Sequence, residues 1–374
     1  RDIGFTQIST SHQVSPLMKL VGRGDTTVVD AYLSPILRRY VDRVAAELGD
    51  ARLMFMQSNG GLTDAGLFQG KDCILSGPAG GVVGAVRTTA MAGFDKIIGF
   101  DMGGTSTDVS HYAGDFERAF ESEVAGIRMR APMMHIHTVA AGGGSILHFD
   151  GARFTVGPDS AGANPGPACY RRGGPLAVTD CNVMLGKLNP DFFPKVFGPN
   201  GDEPLNRDAV TAKFSALANE IAASGRQGMT AEAIAEGYLT IAVENMANAI
   251  KKISVQRGYD VTEYTLCCFG GAGGQHACLV ADSLGMNRVF LHPHAGVLSA
   301  FGMGLADISA MKEKAVEEPL SEDVIPRLND IVNELGSVVR KELETQIEAG
   351  DEVRLVPKVH LRYDGTDSSL VVDF

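Results

Sequence analysis

A short stretch of glycines, hydroxyl residues and carboxylates between two β-prone runs is the part of the chain best suited to chemistry. It reads Gly99-Phe100-Asp101-Met102-Gly103-Gly104-Thr105-Ser106-Thr107-Asp108-Val109-Ser110. The pattern predicts two strands joined by a tight turn. Glycines let the backbone approach an anion closely, so that N–H and hydroxyl groups can converge on phosphate oxygens, and magnesium accepts a carboxylate such as that of Asp101, directly or through water. An ordinary glycine-containing hairpin is the alternative interpretation.

A second glycine-rich loop lies far downstream. A predicted buried strand, Tyr264–Phe269, leads into the string Gly270-Gly271-Ala272-Gly273-Gly274-Gln275-His276-Ala277. We interpret this string as a loop that opens a helix, whose N–H groups can face a nucleotide. The motif is weak when it is taken alone, so its meaning depends on the rest of the chain.

Three further segments carry residue types suited to binding. The loop Ala141–Ser145 contains three consecutive glycines and either wraps a substrate anion or forms a turn; the entropy cost of ordering those glycines favours a function. His135 and His137 fall on one face of a predicted strand, Met133–Val139, which suits either a metal site or a half-buried strand, and no third ligand is close in sequence. The turn-rich segment from Gly157 to Tyr170 is predicted to be a long, irregular functional loop.

Helices and strands are predicted around these motifs. Thr27–Leu48 is predicted as an amphipathic helix that packs on a sheet, because apolar residues recur at four-residue spacing. These residues are Val28, Tyr32, Ile36, Tyr40 and Val44. We expect a helix of small residues from Ser76 to press tightly against a neighbour, and a helix over Ala231–Arg257 to bury an apolar face. Near the end of the chain, a helix is predicted over Val324–Ala349 and strands over Val353–Leu361 and Ser369–Phe374.

Composition limits the class of protein. With 374 residues the chain is long enough for two or more domains. A net charge of -12 without a basic patch argues against a nucleic-acid partner. The sequence contains no apolar run of about 18 residues, so we expect no membrane partner. Six cysteines without CxxC pairs suit reduced thiols, and we expect a cytoplasmic protein.

Several strings together resemble the hydantoinase A and 5-oxoprolinase family, which is related to the actin, sugar kinase and Hsp70 superfamily of ATPases. The strings are Phe5-Thr6-Gln7, Ser76–Gly84, Ile98–Ser110, Thr138–Ser145, Asn164–Tyr170 and Phe269–Ala277. The resemblance extends over nearly the whole chain. Within the family, the segment Leu361–Asp367 is similar to the oxoprolinase branch, because Gly365-Thr366 stands where hydantoinase and acetone carboxylase subunits tend to carry Gly-Gln.

The resemblance implies an α/β fold of actin-like, ribonuclease H-like ATPase lobes. Residues 1–94 would form part of the first lobe and a lobe-linking helix, and residues 95–295 the second lobe with both glycine loops. Residues 296–318 would form a returning helix and linker, and residues 319–374 the start of a C-terminal α+β domain. Because the sequence begins at Arg1 rather than Met and stops within a predicted strand, we expect an internal piece of a larger polypeptide.

The activity that the resemblance implies is ATP-driven opening of the lactam ring of 5-oxo-L-proline, giving L-glutamate, ADP and phosphate. Phosphorylation of the lactam oxygen would make the ring carbon reactive toward water. The implied roles are magnesium binding by Asp101, catalysis by Asp101 and Thr105, phosphate binding by Gly103, Gly104, Thr105 and Ser106, and nucleoside binding by Gly270, Gly271, Gly273 and Gly274. ATP and Mg²⁺ are the implied cofactors, with K⁺ as a further one by family analogy.

The implied partners are a small lactam substrate and a B-type domain or subunit that completes hydrolysis, and we also expect a homo-oligomer. The alternatives are an N-methylhydantoinase or acetone-carboxylase-type ATPase subunit, or a non-catalytic nucleotide-binding or assembly module. The family's N-terminal first phosphate loop, an Asp-x-Gly-Gly-Thr string of its own in addition to Asp101–Thr105, is absent from this sequence. We therefore expect residues 1 to 374 alone to bind ATP weakly and to be inactive.

Overall fold

The computed structural model describes residues 3–17, 19–348, 350–366 and 369–374. The chain divides into two compact units, each of which mixes helices and strands. Unit 1 comprises Arg1–Ser76, Ala119–Met133 and Ala306–Phe374, and unit 2 comprises Gly77–Arg118 and Met134–Leu305. This agrees with the α/β class that the sequence predicts. Among the described helices, none combines the length and the apolar character that crossing a membrane requires.

The helices and strands have the following bounds. The α-helices are α1 Ser11–Val14, α2 Leu20–Leu48, α3 Ser76–Met91, α4 Val178–Met184, α5 Arg207–Ala223, α6 Ala231–Ile253, α7 Ala277–Leu284, α8 Leu298–Gly304 and α9 Ile325–Glu344. The β-strands are β1 Met54–Met56, β2 Leu62–Asp64, β3 Lys96–Met102, β4 Thr107–Ala113, β5 Arg118–Ala119, β6 Ser122–Val124, β7 Ile127–Met129, β8 Met133–Met134, β9 Ile136–Val139, β10 Ser145–Phe149, β11 Phe154–Ser160, β12 Thr265–Phe269, β13 Val289–Leu291, β14 Lys358–Leu361 and β15 Leu370–Asp373.

A five-stranded sheet forms the centre of unit 2, with the strand order β13-β12-β3-β4-β9. Strand β12 runs parallel to β3 and β13, whereas β4 is antiparallel to both β3 and β9. The strand predicted to lead into the hairpin turn is confirmed as β3, and the strand predicted from Tyr264 is confirmed as β12, in which every residue is buried. Because β3 and β12 are parallel neighbours, the loops that follow them lie at the same edge of the sheet.

Helix α6 packs on this sheet and supplies much of the core of unit 2. Its predicted apolar face is confirmed, since Ala235, Leu239, Val243, Ala247 and Ile250 are all buried. The helix begins after Thr230, whose hydroxyl accepts a hydrogen bond from the N–H of Ala233, as an N-cap should. The apolar face of α6 covers one face of the sheet. Its burial stabilises the strands that lead into both glycine loops.

The small residues of α3 pack closely against α8 in unit 2, as their spacing predicts. A Cβ atom added at Gly80 would lie 2.8 Å from the carbonyl oxygen of Ser299, and one at Gly84 would lie 2.6 Å from that of Leu298. Side chains at these positions would push the helices apart, so glycine is required here by close approach.

The apolar stripe of helix α2 in unit 1 is exposed, so the prediction that it packs on a sheet is wrong. Val28 is 69% exposed and Tyr32 is 71% exposed, and Ile36 and Tyr40 are exposed as well. The buried face of α2 instead contains Thr26, Asp30, Ser34 and Val41. Asp30 accepts hydrogen bonds from Ser9 Oγ at 2.6 Å and from the N–H of Lys71 at 3.1 Å. These partners, which are distant in sequence, satisfy the hydrogen-bonding groups of the buried polar face. The spacing of apolar residues alone does not reveal such a face.

We expect truncation to destabilise the protein at one valine of α2 and to have little effect at another. Val41→Ala should lower the free energy of unfolding by about 1 to 3 kcal/mol, because Val41 is 2% exposed and its methyl groups fill packed space. Val28→Ala should change it by less than about 0.5 kcal/mol, because that side chain lies in solvent. Urea unfolding of both variants measures the difference, and equal losses would contradict the burial described here.

Several helices and strands begin or end at residues other than those predicted from the sequence. The segment predicted to be irregular from Gly157 is strand as far as Ser160, because it pairs with β10. The predicted C-terminal helix begins at Ile325 as α9 and ends at Glu344, and Ala349, at which the prediction ended, lies outside the described residues. Strands β14 and β15 pair antiparallel, and Asp367, the last residue of the string from Leu361, also lies outside the described residues.

Candidate functional site

The predicted hairpin is confirmed, with β3 and β4 paired from Lys96–Ala113 to Met102–Thr107. The turn closes through a hydrogen bond from the N–H of Gly103 to the carbonyl oxygen of Ser106 at 3.0 Å, and Gly104 and Thr105 are exposed at its tip. Neither glycine of the turn has a positive φ. A Cβ added at Gly104 would meet no heavy atom within 4 Å. Glycine therefore leaves open space at the turn instead of relieving backbone strain.

The loop Ala141–Ser145 packs directly on this turn. The N–H of Gly143 donates to the carbonyl oxygen of Gly103 at 3.1 Å, and that of Gly144 donates to Gly104 at 2.6 Å. A Cβ at Gly142 would lie 2.7 Å from the backbone N and C atoms of Thr105. Backbone contacts backbone here, so close approach explains why this loop contains consecutive glycines.

We expect Gly142→Ala to lower the free energy of unfolding by about 1 to 3 kcal/mol, because the added methyl group collides with backbone that cannot rotate away. Gly104→Ala is the matched control, since the same methyl group meets open space there. Its stability should stay within about 0.5 kcal/mol of the parent. Thermal and urea unfolding of the two variants measure the contrast. A Gly142→Ala protein as stable as the control would show that the two loops do not pack as described.

The downstream glycine loop reaches the same edge of the sheet. Gly270 follows β12 with φ +84°, and its N–H donates to the carbonyl oxygen of Ala295 at 3.0 Å. The N–H of Ala272 donates to the carbonyl oxygen of Met102 at 2.9 Å, which joins this loop to the end of β3. A Cβ at Gly270 would meet Oδ1 of Asp101. Two motifs far apart in sequence are thus in contact at Asp101.

The other predicted glycines of this loop have different environments. Gly271 and Gly274 are exposed, whereas Gly273 is buried in the short 3-10 turn Gly273–Gln275. A Cβ at Gly273 would lie 2.8 Å from Sγ of Cys268, so the need for glycine there is structural. At Gly271 and Gly274, by contrast, an added Cβ would meet no heavy atom within 4 Å.

Asp101 faces a second carboxylate, which the sequence analysis did not select. Asp101 and Asp108 are directly opposite in the antiparallel register of β3 and β4. Burial, together with the charge of Asp108, raises the pKa of Asp101 to about 6. Asp108 Oδ1 accepts a hydrogen bond from Thr138 Oγ1 at 2.6 Å. The spacing of seven residues across a tight hairpin is the signal that could have paired the two carboxylates.

This carboxylate pair suits a magnesium ion better than a transition metal. Magnesium is commonly held by one or two carboxylates together with waters and phosphate oxygens. The raised pKa of Asp101 means that a cation would relieve an unfavourable negative charge. Within the described residues, no group of three or more His, Cys, Asp or Glu side chains is arranged to hold a metal ion.

The raised pKa of Asp101 predicts a pH-dependent stability. The folded chain binds this proton more tightly than an unfolded chain with a pKa of 3.8, so the destabilisation by the ionised carboxyl develops as pH rises from about 3.8 to about 6 and stays constant above that range. We expect Asp101→Asn to raise the free energy of unfolding at pH 8, without magnesium, by on the order of 1 to 3 kcal/mol, and by less at pH 5. Urea unfolding at both pH values tests this, with the exposed Asp95→Asn as control. A pH-independent effect would contradict the assignment.

The two predicted strand histidines do not share one strand. His135 lies between β8 and β9, where its N–H donates to the carbonyl oxygen of Glu117 at 2.9 Å. Its Nδ1 is 3.6 Å from Oε2 of Glu117, and the same oxygen pairs with Arg257. The other oxygen of Glu117, Oε1, lies 2.7 Å from Nδ1 of His111. Burial alone would raise the pKa of Glu117, but the hydrogen bonds from His111 and Arg257, together with the nearby ring of His135, lower the pKa well below its usual range. The prediction of a continuous strand is therefore wrong, because His135 bonds to Glu117 instead of to a neighbouring strand.

A cavity of about 200 Å³ opens beside the hairpin within unit 2. Its lining combines glycines of all three loops with Thr179, Gln275 and several apolar residues. The lining residues are Gly104, Gly143, Gly144, Gly162, Pro167, Tyr170, Thr179, Leu188, Phe193, Leu205, Gly271, Ala272 and Gln275. The buried carboxylate of Asp180 accepts N–H hydrogen bonds from Ala168 and Cys169, both at 2.9 Å, and so holds the turn that carries Tyr170.

Known proteins resemble this chain in both sequence and structure, and they belong to the family that the motifs indicate. The Hydantoinase/oxoprolinase family matches residues 23–312. A 5-oxoprolinase from Saccharomyces cerevisiae is 45% identical over 382 residues, which cover 100% of this chain and 29% of the yeast protein. The crystal structure of an ATP-dependent caprolactamase from Pseudomonas jessenii superposes with a TM-score of 0.82 at 32% identity, over 98% of this chain and 53% of that one. A nucleotide-free acetone carboxylase structure gives a TM-score of 0.71 at 25% identity, over 97% and 52% of the two chains.

This chain is much shorter than the relatives that it matches. The chain spans about three tenths of the length of the 5-oxoprolinases that it resembles, with 30% of an Arabidopsis thaliana 5-oxoprolinase as a second example. Activities of those whole proteins are therefore not transferred by similarity alone. The family match, by contrast, covers most of the chain, includes both glycine loops and agrees with the structural superposition. On these grounds the chain belongs to the hydantoinase/oxoprolinase family.

Proposed function

We propose that this chain is the ATP-binding and phosphorylating part of an ATP-dependent cyclic amidase, with 5-oxo-L-proline as the substrate. The observation that carries the proposal is the meeting of the two glycine loops at Asp101, where a Cβ at Gly270 would contact the carboxylate. Similarity to 5-oxoprolinases over the whole chain supports the choice of substrate, and the ATP-dependent caprolactamase supports lactam chemistry.

The proposed roles follow from the position of each group. Gly104, Thr105 and Ser106 offer N–H and hydroxyl donors to phosphate at the hairpin turn. Gly103 lets the phosphate approach the backbone there, while its own N–H closes the turn. Gly270, Gly271, Gly273 and Gly274 border the nucleoside. Asp101, with Asp108 opposite, would hold Mg²⁺, which neutralises charge on the phosphates when it is bound. The open space beside Gly104 is the room that a phosphate group needs.

The chemistry requires activation of a poor electrophile. In the proposed reaction the lactam oxygen forms a bond to the γ-phosphorus of ATP while the bond from that phosphorus to the β–γ bridging oxygen breaks, and ADP leaves. Water then adds to the ring carbon, and the C–N bond breaks so that the nitrogen leaves as the free amino group and the carbon is left as an acyl phosphate. A second water hydrolyses this acyl phosphate to the carboxylate of L-glutamate and free phosphate. In this scheme, the donors at Thr105 and Ser106 stabilise charge on the transferred phosphoryl group.

We further propose that the fold corresponds to actin-like ATPase lobes, with residues 95–295 as the second lobe. Residues 1–94 and 296–318 would contribute to the first lobe and its connections, and residues 319–374 would begin a C-terminal domain. The placement of both loops after parallel strands β3 and β12 supports this. The greater length of the relatives supports a B-type portion as the partner that completes hydrolysis. A homo-oligomer, K⁺ as a further ion and a cytoplasmic location remain part of this proposal.

Product analysis tests the proposal. The complete protein that carries this sequence, given Mg-ATP and 5-oxo-L-proline, should release L-glutamate, ADP and phosphate in equal amounts. Gly104→Ala should fold normally and lose at least about tenfold in activity, because its methyl group occupies the phosphate space. ATP hydrolysis without lactam opening, or full activity of the Gly104→Ala protein, would contradict the proposal.

A further inference from the structure

Helix α2 carries an apolar surface that the described part of the chain leaves exposed. Four residues spaced four apart share this surface, namely Val28, Tyr32, Ile36 and Tyr40. Their exposed fractions range from 52% to 71%, and we call these four residues the α2 stripe. A tyrosine side chain offers about 150 to 250 Å² of surface, so the stripe exposes roughly 400 Å². Patches of about 300 to 600 Å² are the largest on typical monomers and often mark an interaction surface.

Opposite charges mark the two ends of the α2 stripe. Asp25 and Arg43 are 18 residues apart, and each lies three residues beyond one end of the stripe. At about 3.6 residues per turn, this separation makes about five full turns, so both residues point in the same direction from the helix axis. That direction is midway between those of Tyr32 and Ile36, which lie about 20° to either side of it. The stripe therefore has a centre line with a negative charge at one end and a positive charge at the other.

The order of residues along this line fits an antiparallel second copy of the same helix. When two copies are related by a two-fold axis near Ser34, residues equally far from Ser34 on either side meet across the axis. Tyr32 then lies opposite Ile36 of the second copy, and Val28 lies at the level of its Tyr40. Each level combines one aromatic ring with one smaller aliphatic side chain, which lets the two faces interdigitate at the packing density of a protein interior.

The same axis brings the charges at the ends of the stripe together. Asp25 of one copy faces Arg43 of the other, and symmetry repeats this ion pair at the opposite end of the interface. Within one copy, Arg43 Nε lies 3.4 Å from Oε1 of Glu47, but these side chains are 82% and 72% exposed. Such an exposed pair contributes little stability, so the guanidinium can turn toward Asp25 of a second copy. A parallel arrangement would instead place like charges opposite each other, which is unfavourable.

We propose that the α2 stripe is the interface between two copies of this protein, which pack antiparallel about a two-fold axis near Ser34. This inference rests on the proposed function only for the homo-oligomer, to which it assigns a surface, and it does not depend on the nucleotide site. An unrelated partner, or another part of the polypeptide, requires no match between the two halves of the stripe. Two stripes bury roughly 800 Å², and the flanking charged residues extend the contact toward the roughly 1,000 Å² of a small specific interface. The small effect on unfolding expected for Val28→Ala refers to a single copy, in which this side chain lies in solvent.

Cross-linking in the complete protein that carries this sequence tests the arrangement. Asp25→Cys and Arg43→Cys are made as separate variants, each with Cys278→Ser, which removes an exposed native thiol. A mixture of the two variants, treated with a short bismaleimide, should yield a cross-linked dimer. Either variant alone should yield none, because its two new thiols would lie about 27 Å apart along the helices at about 1.5 Å per residue. Cross-linking of one variant alone, or no cross-linking in the mixture, would overturn the proposal.

Exchange of the two charges provides a second readout. Arg43→Asp places like charges opposite each other at both ends of the interface, so sedimentation velocity should show a dimer dissociation constant raised about 10-fold or more. Asp25→Arg combined with Arg43→Asp should restore the parent constant, which simple damage to α2 would not do. Arg207→Asp, at an exposed position in unit 2, is the control and should keep the parent constant. A monomeric parent protein, or a double variant that dimerises as weakly as Arg43→Asp, would overturn the interface.

Failure of this interface is distinguishable from failure of the proposed function. Neither cross-linking nor sedimentation involves a nucleotide or a lactam, so a missing cross-link in the mixture overturns the interface and leaves the ATP-dependent reaction standing. If product analysis finds no release of L-glutamate, the proposed reaction is overturned, while a cross-linked dimer in the mixture still supports the interface.

Discussion

Asp101→Asn in the complete protein should lower kcat for lactam opening by about 100-fold or more. The carboxylate lies at the carboxyl end of β3, opposite Asp108. It is also so close to Gly270 that a Cβ added there would meet it. An amide keeps the size of the side chain but carries no charge to hold a magnesium ion near the transferred phosphoryl group. The variant should fold, since the carboxylate of Asp101 is itself unfavourable in the folded chain, where its pKa is raised to about 6.

Steady-state kinetics with 5-oxo-L-proline, together with far-ultraviolet circular dichroism, separates loss of activity from loss of fold. Thr138→Val is a useful companion, because it removes only the hydrogen bond to Asp108 and leaves both carboxylates in place. It should lower activity much less. Turnover by Asp101→Asn within a few-fold of the parent would show that this carboxylate does not hold the metal.

Sequence reasoning succeeded where one local pattern determines one local structure. The strands at Lys96 and Tyr264 were predictable because their apolar runs need burial on both faces, and the helix from Ala231 because its apolar residues share one face. The glycine spacing in Gly80 and Gly84 predicted close helix packing for the same reason. In each case the information lies within about 20 consecutive residues.

Long-range partners were not predictable in this way. The stripe on α2 from Val28 to Tyr40 has the period of a buried face, yet it is exposed, because the opposite polar face finds partners at Ser9 and Lys71. The contact of Gly142 with Thr105 and that of Gln275 with Asn182 join segments that no local rule connects. Hairpin register alone could have identified Asp108, because its distance from Asp101 is fixed by the turn.

Gly270→Ala should lower the free energy of unfolding by about 3 kcal/mol or more, which is the largest stability loss that we expect from any single methyl group at the site. Two independent terms contribute. The residue has φ +84°, where an L side chain is strained. The added Cβ would also meet Oδ1 of Asp101 and lie 2.5 Å from the carbonyl oxygen of Met102, which already accepts the N–H of Ala272.

Gly274→Ala in the same loop provides the matched comparison. Its φ is not positive, and its added Cβ would meet no heavy atom within 4 Å, so the stability should change by less than about 1 kcal/mol. Urea unfolding of both variants without ligand measures the contrast. If Gly274 borders the nucleoside as proposed, Gly274→Ala should nevertheless weaken Mg-ATP binding, because the methyl group then occupies ligand space. Equal stability of the two variants would show that the downstream loop does not meet the hairpin at Asp101, and the proposed nucleotide site would lose its principal support.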